Sequence, residues 1–413
     1  MWNPEGDTRS LLAILRISGT PSLSYAVIHD GHVITTQHFG FRDVEAQARP
    51  DNDTRHNINS LTKALVSSLV AMEVARDYLP GFASSDPFLQ QECTIQDLVS
   101  HRTGLGAHDM ACDALPTDSF IYNNLCYELP LSQLLHERIF KWKSPGGNNA
   151  KSYTVLDDLS AFEIPPPTME KGQIMEAARG VKSSLSDLIR LYQEMLKAFP
   201  SSPSPNCLEI FGARNTLPGW SLREQSYGAG WCRAQLPALG AQPVVGEGRP
   251  SRLTAVNLLP ETQSAVIALQ NSLGPVDSAD FVAELLVERL LGVQSPVDYA
   301  FKYMDMLKLK LDSDRKLGTM PKPLGADGHL AVVFQGLQSE PFNLRHYNYD
   351  TFSWWMPYND VMRSGQYAIG TTSSFWLMRF EANNFGQMVK LSWAMDTAFP
   401  EWEEAFTRNS KLL

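Results

Sequence analysis

The feature that most narrows the possible folds is a hairpin near one end of the chain whose partners lie near the other. Residues Ser22 to Ile28 and Val33 to Phe39 read as two strands joined by Asp30-Gly31, a pair suited to a tight hairpin turn. Further strand-like runs come only much later, at Gly230 to Leu236, Leu253 to Leu259 and Ser264 to Gln270. Helical spacing occupies Ser10 to Ile17, Ser60 to Val74 and Ser186 to Phe199. A capping-box-like Thr94-Ile95-Gln96-Asp97 opens a short helix ending near Gly104, and Asp277 can cap a helix from Phe281 to Leu291 that Gly292 stops. This order predicts a mixed α/β domain of the α+β type, with an antiparallel sheet completed by distant segments and flanked by helices. The connection between about residues 105 and 182 is long for a compact domain, and reads either as a lid or substrate wall or as an irregular surface excursion.

A composition shift follows residue 296. Val297 to Leu311 reads as a helix, and Asp312 to Gly328 is polar and punctuated by Pro and Gly. Residues 329 to 406 are then strongly aromatic with period two, as in Trp376, Met378 and Phe380, or Val389, Leu391 and Trp393. That pattern predicts a small β-domain, barrel-like, with the aromatic stripe as its core. The expected domains are therefore 1–295, a helix and linker over 296–328, and a β-domain over 329–413.

Composition removes several function classes. Lys and Arg number 35 against 45 Asp and Glu, a net charge of −10, so a nucleic-acid or anionic-membrane partner is not expected. The 5 cysteines form no CxxC pair and their number is odd, which fits reduced thiols better than a zinc knuckle or a disulfide scaffold. The start, MWNPEGDTRS, lacks the basic and apolar regions of a secretory signal, and no run of about 18 apolar residues occurs. The expectation is a soluble, cytoplasmic protein. There is no GxSxG elbow, HExxH, GxxxxGK[ST] or strand-linked GxGxxG, and the 9 histidines show no metal-ligand spacing. His29, His32 and His38 read as surface residues of the hairpin. No metal and no organic cofactor is expected.

What remains is Ser60-Leu61-Thr62-Lys63. On a helix, positions three apart share a face, so the Lys63 amine can reach the Ser60 hydroxyl. Serine is a weak nucleophile without an adjacent base, and a lysine desolvated in a pocket can serve as one. A helix N-terminus adds N–H groups and a positive dipole end that favour a developing oxyanion. A second SxxK, Ser313 to Lys316, lies in a charged stretch read as post-helical and solvated. The first runs directly into ALVSSLVAMEVA, an apolar helix where a lysine is uncommon without a partner.

Two further strings follow in order, Leu98 to Leu105 (LVSHRTGL) and Phe120 to Tyr127 (FIYNNLCY). Together with Ser60 to Lys63 they resemble the β-lactamase-related serine hydrolases of the class C type, which include penicillin-binding-protein-like peptidases, esterases and secondary-metabolite transesterases. The likeness continues through Ala177 to Asp187 and Tyr227-Gly228-Ala229-Gly230-Trp231 to the closing strands, covering about residues 10 to 293. The resemblance implies Ser60 as acylated nucleophile, Lys63 as its base partner, Tyr122 as second base and Asn124 as a substrate contact. The third string of such proteins, K-T-G or H-x-G, is absent between Arg249 and Leu258, which read RPSRLTAVNL. Arg249 or Arg252 is then the candidate cation in its place, with Arg252 taken as the substrate-binding residue, and the oxyanion site is expected near Arg252 to Ala255. The implied function is a serine hydrolase or acyltransferase acting on a small-molecule acyl substrate. The alternative is a catalytically impaired relative that binds a small molecule or a partner.

Overall fold

A computed structural model of the chain describes residues 4–70, 97, 100, 147–164, 181–198, 215–216, 225–228, 230–235, 243–247, 254–293, 297–318, 331–332, 342–364, 373–394 and 403–407. It divides into two compact units, one within 1–104 and 124–307, the other within 105–123 and 308–413.

In the first unit, α1 (Pro4–Ser18) leads into the hairpin of β1 (Ser22–His29) and β2 (His32–Gly40). Asp30 and Gly31 take φ of 50° and 73°, the left-handed pair that matches a hairpin turn to the twist of its strands. There follow β3 (Arg55–Asn57), α2 (Leu61–Val70), β4 (Tyr153–Val155), β5 (Ala161–Glu163), β6 (Lys182–Ser184) and α3 (Leu185–Ala198). The short strands β7 (Asn215–Thr216), β8 (Gln225–Tyr227), β9 (Cys232–Gln235) and β10 (Pro243–Glu247) precede β11 (Thr254–Leu259), β12 (Ser264–Gln270) and β13 (Ser272–Leu273). Then comes α4 (Ser278–Leu290), and α5 (Tyr299–Gly318) begins in this unit and continues past its last residue, 307.

Eight strands make one antiparallel sheet in the order β2-β1-β12-β11-β10-β9-β8-β7. The predicted distant pairing is thus made by β1 against β12, with Leu23 opposite Gln270 and Val27 opposite Val266. Leu23, Tyr25, Val27, Val266 and Ala268 pack with Leu11 and Ile14 of α1 and Val282, Leu285 and Leu286 of α4. The alternate residues Ala26, Ile28, Ile267 and Leu269 are fully buried too, so the sheet is covered on both sides. Each buried Val, Leu or Ile side chain among these contributes roughly 1.5–3 kcal/mol. Helix α3 packs against β1 and β12, and α2 against β11.

Several sequence expectations shift in detail. Asp277 does cap α4, accepting from the Asp280 N–H at 3.2 Å, but the helix begins at Ser278 rather than Phe281. Helix α5 runs through Gly318, so Ser313 to Lys316 is helical and not post-helical. Within the long connection, residues 147–164 form a hairpin, with β4 paired to β5 and, in parallel, to β13. Lys151 joins this hairpin to the early chain through Asp43 and Glu45 and pairs with Glu163 within it, and the Tyr153 hydroxyl donates to Glu45 while accepting from the Val44 N–H. His29 and His32 are exposed; His38 is half-buried and bonded to Ser24 and Asn52. The 94–104 helix is described only at Asp97, which is helical, and Ser100, which is in a turn.

The second unit holds β14 (Ala331–Val332), β15 (Phe342–Asn343), β16 (Arg345–Asn348), β17 (Thr351–Ser353), α6 (Tyr358–Ser364), β18 (Leu377–Ala382), β19 (Met388–Trp393) and β20 (Glu404–Thr407). The last five strands form an antiparallel meander in sequence order. Trp354, Phe375, Trp376 and Trp393 are buried together with ring centroids 4.6–5.7 Å apart. The indoles of Trp354 and Trp393 both donate to the Phe375 carbonyl, at 3.0 and 2.6 Å, so burial leaves neither N–H unpaired. Of the stripe read from the sequence, Trp376, Met378 and Trp393 are core, whereas Phe380 and Leu391 are half-buried and Val389 is exposed, so the period marks the core only in part.

His56 on β3 is 1% exposed, and among the described residues neither ring nitrogen finds a hydrogen-bond partner. Burial lowers its pKa to about 4; the Gln270 backbone opposes that shift and nearby His38 adds to it. The unfolded chain therefore takes up this proton first, and stability falls as pH drops from about 6.5 toward 4. Thermal melts across that range should show a loss on the order of 1–3 kcal/mol in the native chain, and a flatter profile in His56→Gln.

Candidate active site

The chain reaches Ser60 through a turn built from Asn57-Ile58-Asn59. The Asn57 side-chain carbonyl accepts the Asn59 N–H at 3.1 Å. Asn59 adopts φ +44°, a left-handed conformation that asparagine tolerates better than most residues. From there successive N–H groups bond three residues back: Leu61 to Ile58 at 3.1 Å, Thr62 to Asn59 at 2.9 Å and Lys63 to Ser60 at 2.9 Å. This tight first turn leads into α2, with Ser60 immediately ahead of its N-terminus.

Ser60 is buried, as are Leu61, Ala64 and Leu65 around it. The Lys63 amine donates to the Ser60 hydroxyl oxygen at 3.1 Å. The i, i+3 relation foreseen in the sequence is therefore a hydrogen bond, with an amine held against a serine oxygen at the positive end of a helix. Such an arrangement can draw the hydroxyl proton away and stabilise negative charge that develops beside it.

Neighbouring elements fix the helix. Ser67 donates to the Lys63 carbonyl at 2.7 Å. Gly230, at the end of the YGAGW stretch, lies so close that a Cβ there would meet Ser67 Oγ at 2.3 Å and the Ala64 Cα at 3.0 Å. Beside it Trp231 is fully buried and packs edge-on against Tyr192 of α3. At the start of β11, the Thr254 hydroxyl donates to the Ile58 carbonyl at 3.0 Å.

Of the five residues singled out in the sequence, Ser60 and Lys63 are brought together; Tyr122, Asn124 and Arg252 lie outside the described residues. Of the stretch expected to frame the oxyanion, Thr254 and Ala255 are described, and both are buried in the sheet. The sequence offers Asn57-Ile58-Asn59 as the entry to the helix, Gly230 within the YGAGW likeness and Thr254 within the stretch expected near the oxyanion, but it assigns none of them the contacts they make here. Two asparagines spaced around an isoleucine just ahead of a helix are the local signal for the turn; nothing local marks Gly230 or Thr254 as neighbours of Ser60. Among the described residues no cluster of His, Cys, Asp or Glu is arranged to hold a metal, and no helix is long and apolar enough to cross a membrane.

Residues 13–143, which include Ser60 and Lys63, match the β-lactamase family model. By that match this stretch of the chain is β-lactamase-related. No curated protein matches it. Among solved structures, the octameric penicillin-binding protein homologue from Pyrococcus abyssi superposes with a TM-score of 0.58 at 16% identity, over 94% of this chain and 97% of that one. At that identity the likeness is one of fold. The β-lactamase-related fold is of serine-hydrolase type, and Ser60 with Lys63 stands where its sheet and buried helix meet.

Gly230 gives a direct test of how closely this β-lactamase-related sheet packs on the helix. Gly230→Ala should lose about 1–3 kcal/mol of stability from overpacking, besides the roughly 1 kcal/mol of a left-handed alanine. Gly292, at φ +65° with nothing within 4 Å of its would-be Cβ, should lose only the latter. Chemical denaturation of the two alanine variants, each against the native chain, measures the difference.

Proposed function

We propose that the chain is a serine acyl enzyme acting on a small-molecule ester, thioester or amide. The observation that carries this reading is the Lys63 amine at 3.1 Å from the Ser60 hydroxyl, at the N-terminus of a buried helix. Ser60 Oγ attacks the acyl carbon while its proton passes to the Lys63 side, with Tyr122 as the second base that the family resemblance implies. The carbonyl oxygen takes up negative charge against the Ser60 N–H and the α2 N-terminus. Collapse expels the alcohol, thiol or amine, which leaves with that proton, and an ester on Ser60 remains. Water then releases the acid, or an acceptor alcohol carries the acyl group away, so hydrolase and transesterase differ only in the second nucleophile. Asn124 and Arg252 are the proposed substrate contacts, and a pathway metabolite of the cytoplasm, as in secondary metabolism, is the proposed acyl donor.

The sequence RPSRLTAVNL where K-T-G or H-x-G is expected favours a second reading, a small-molecule-binding relative that has lost turnover. One experiment separates the two. Incubation with a fluorophosphonate or a β-lactam, followed by peptide mass spectrometry, should place one adduct on the Ser60 peptide and none in Ser60→Ala. Lys63→Ala should slow adduct formation by about 10²–10⁴-fold. A folded native chain that takes no adduct at Ser60 overturns the enzyme reading in favour of the binding one.

A further inference from the structure

The turn in front of Ser60 is held from two sides. On one side, the Ile58 N–H donates to the Val181 carbonyl at 3.0 Å, and the Val181 N–H donates back to Thr62 Oγ1 at 3.3 Å. On the other, Thr254 is fully buried at the start of β11 and its hydroxyl donates to the Ile58 carbonyl at 3.0 Å. That same carbonyl accepts the Leu61 N–H at 3.1 Å, so both of its lone pairs are engaged.

The Ile58 carbonyl belongs to the peptide plane that joins Ile58 to Asn59. Rotation of that plane changes ψ of Ile58 and φ of Asn59 together, because the peptide unit moves as a rigid body. A bond that fixes the direction of the carbonyl therefore also fixes φ of Asn59. Asn59 sits at φ +44°, in a region an L-residue holds only when its surroundings over-determine it. Release of the carbonyl lets Asn59 relax toward negative φ. The chain beyond it then swings, carrying Ser60 out of register with Lys63, one turn along.

We propose that Thr254 is a positioning residue for Ser60: its hydroxyl holds the Ile58 carbonyl, and through it the left-handed Asn59 and the Ser60 side chain. The hydroxyl is spent on backbone and makes no contact with substrate in this role. The proposal rests on the reading of Ser60 as nucleophile, and it adds a requirement that SxxK alone does not contain. The strand next to the nucleophile must begin with a buried hydroxyl.

Thr254→Val keeps the branched shape and removes the hydroxyl, whereas Thr254→Ser keeps the hydroxyl and removes a methyl. Inactivation of the full chain by a fluorophosphonate, resolved into the maximal rate and the half-saturating concentration, is measured for both. Melting temperature and amide exchange of the 58–63 peptide are followed in parallel. Thr254→Val is expected to lower the maximal rate at least tenfold, leave the half-saturating concentration within threefold, and speed exchange over 58–63. Thr254→Ser is expected to stay within threefold of the native chain. A native maximal rate in a folded Thr254→Val overturns the proposal, as does a Thr254→Ser as slow as Thr254→Val. If Thr254→Val does not fold, Thr254→Ala against Thr254→Ser makes the same comparison at smaller volume. If the native Ser60 takes no label, the acyl-enzyme reading fails on its own, and unchanged exchange over 58–63 in Thr254→Val then overturns the clamp separately.

Discussion

Val27 and Val266 face each other across β1 and β12 although more than half the chain lies between them. Closing so long a loop carries an entropic cost that grows only slowly with length, but it must be met before any contact forms. Six consecutive residue pairs, most of them fully buried, meet it here. Once β12 is set against β1, β11 follows on its far side through Thr254 opposite Leu269 and Val256 opposite Ile267. That places the head of β11 against the turn before Ser60. The candidate site depends on a pairing made by residues that take no part in its chemistry.

The site itself is a compromise between burial and charge. Lys63 lies on a helix whose other described side chains are apolar or small, and an isolated ammonium in such a setting is costly. The Ser60 oxygen at 3.1 Å offsets part of that cost and puts the amine where it can act on the serine. The helix is held close to the sheet by the absence of a side chain at Gly230 and by the fully buried Trp231 next to it. Freedom to shift would lengthen the Lys63–Ser60 contact, so close packing here serves geometry as much as stability.

Where segments carry their own signal, the sequence was legible. Ser264 to Gln270 is a strand over the very residues its apolar run marks, and Asp30-Gly31 makes the turn its chemistry demands. Asp277 caps α4, but the helix starts three residues before the apolar pattern does, because capping rather than hydrophobicity sets its first turn. Strand β10, Pro243–Glu247, escaped notice: its two valines favour a strand, but Pro243 and Gly246 flank them and leave too short a run to show a period. It forms because β9 and β11 offer backbone partners on either side. The three-residue strands β3 and β6 are too short to show a period, and they pair only because the chain folds back at Val181. Helix α5 passes the point where its apolar residues thin out and continues through DSDRK, since a helix already nucleated extends through residues that would not start one.

Local spacing alone determined the hairpin, the helix that begins after Ser60, and the ability of Lys63 to reach its oxygen three residues back. Those follow from 3.6 residues per turn and from the conformational preferences of Asp, Gly and Asn, which act over a few residues. The tertiary structure decided what surrounds them. Thr254, Val181 and Gly230 come from three separate stretches, and no local spacing within any of them specifies the bond or close approach it makes beside Ser60. Their meeting is fixed by sheet order and close packing, and these depend on contacts between residues far apart in sequence.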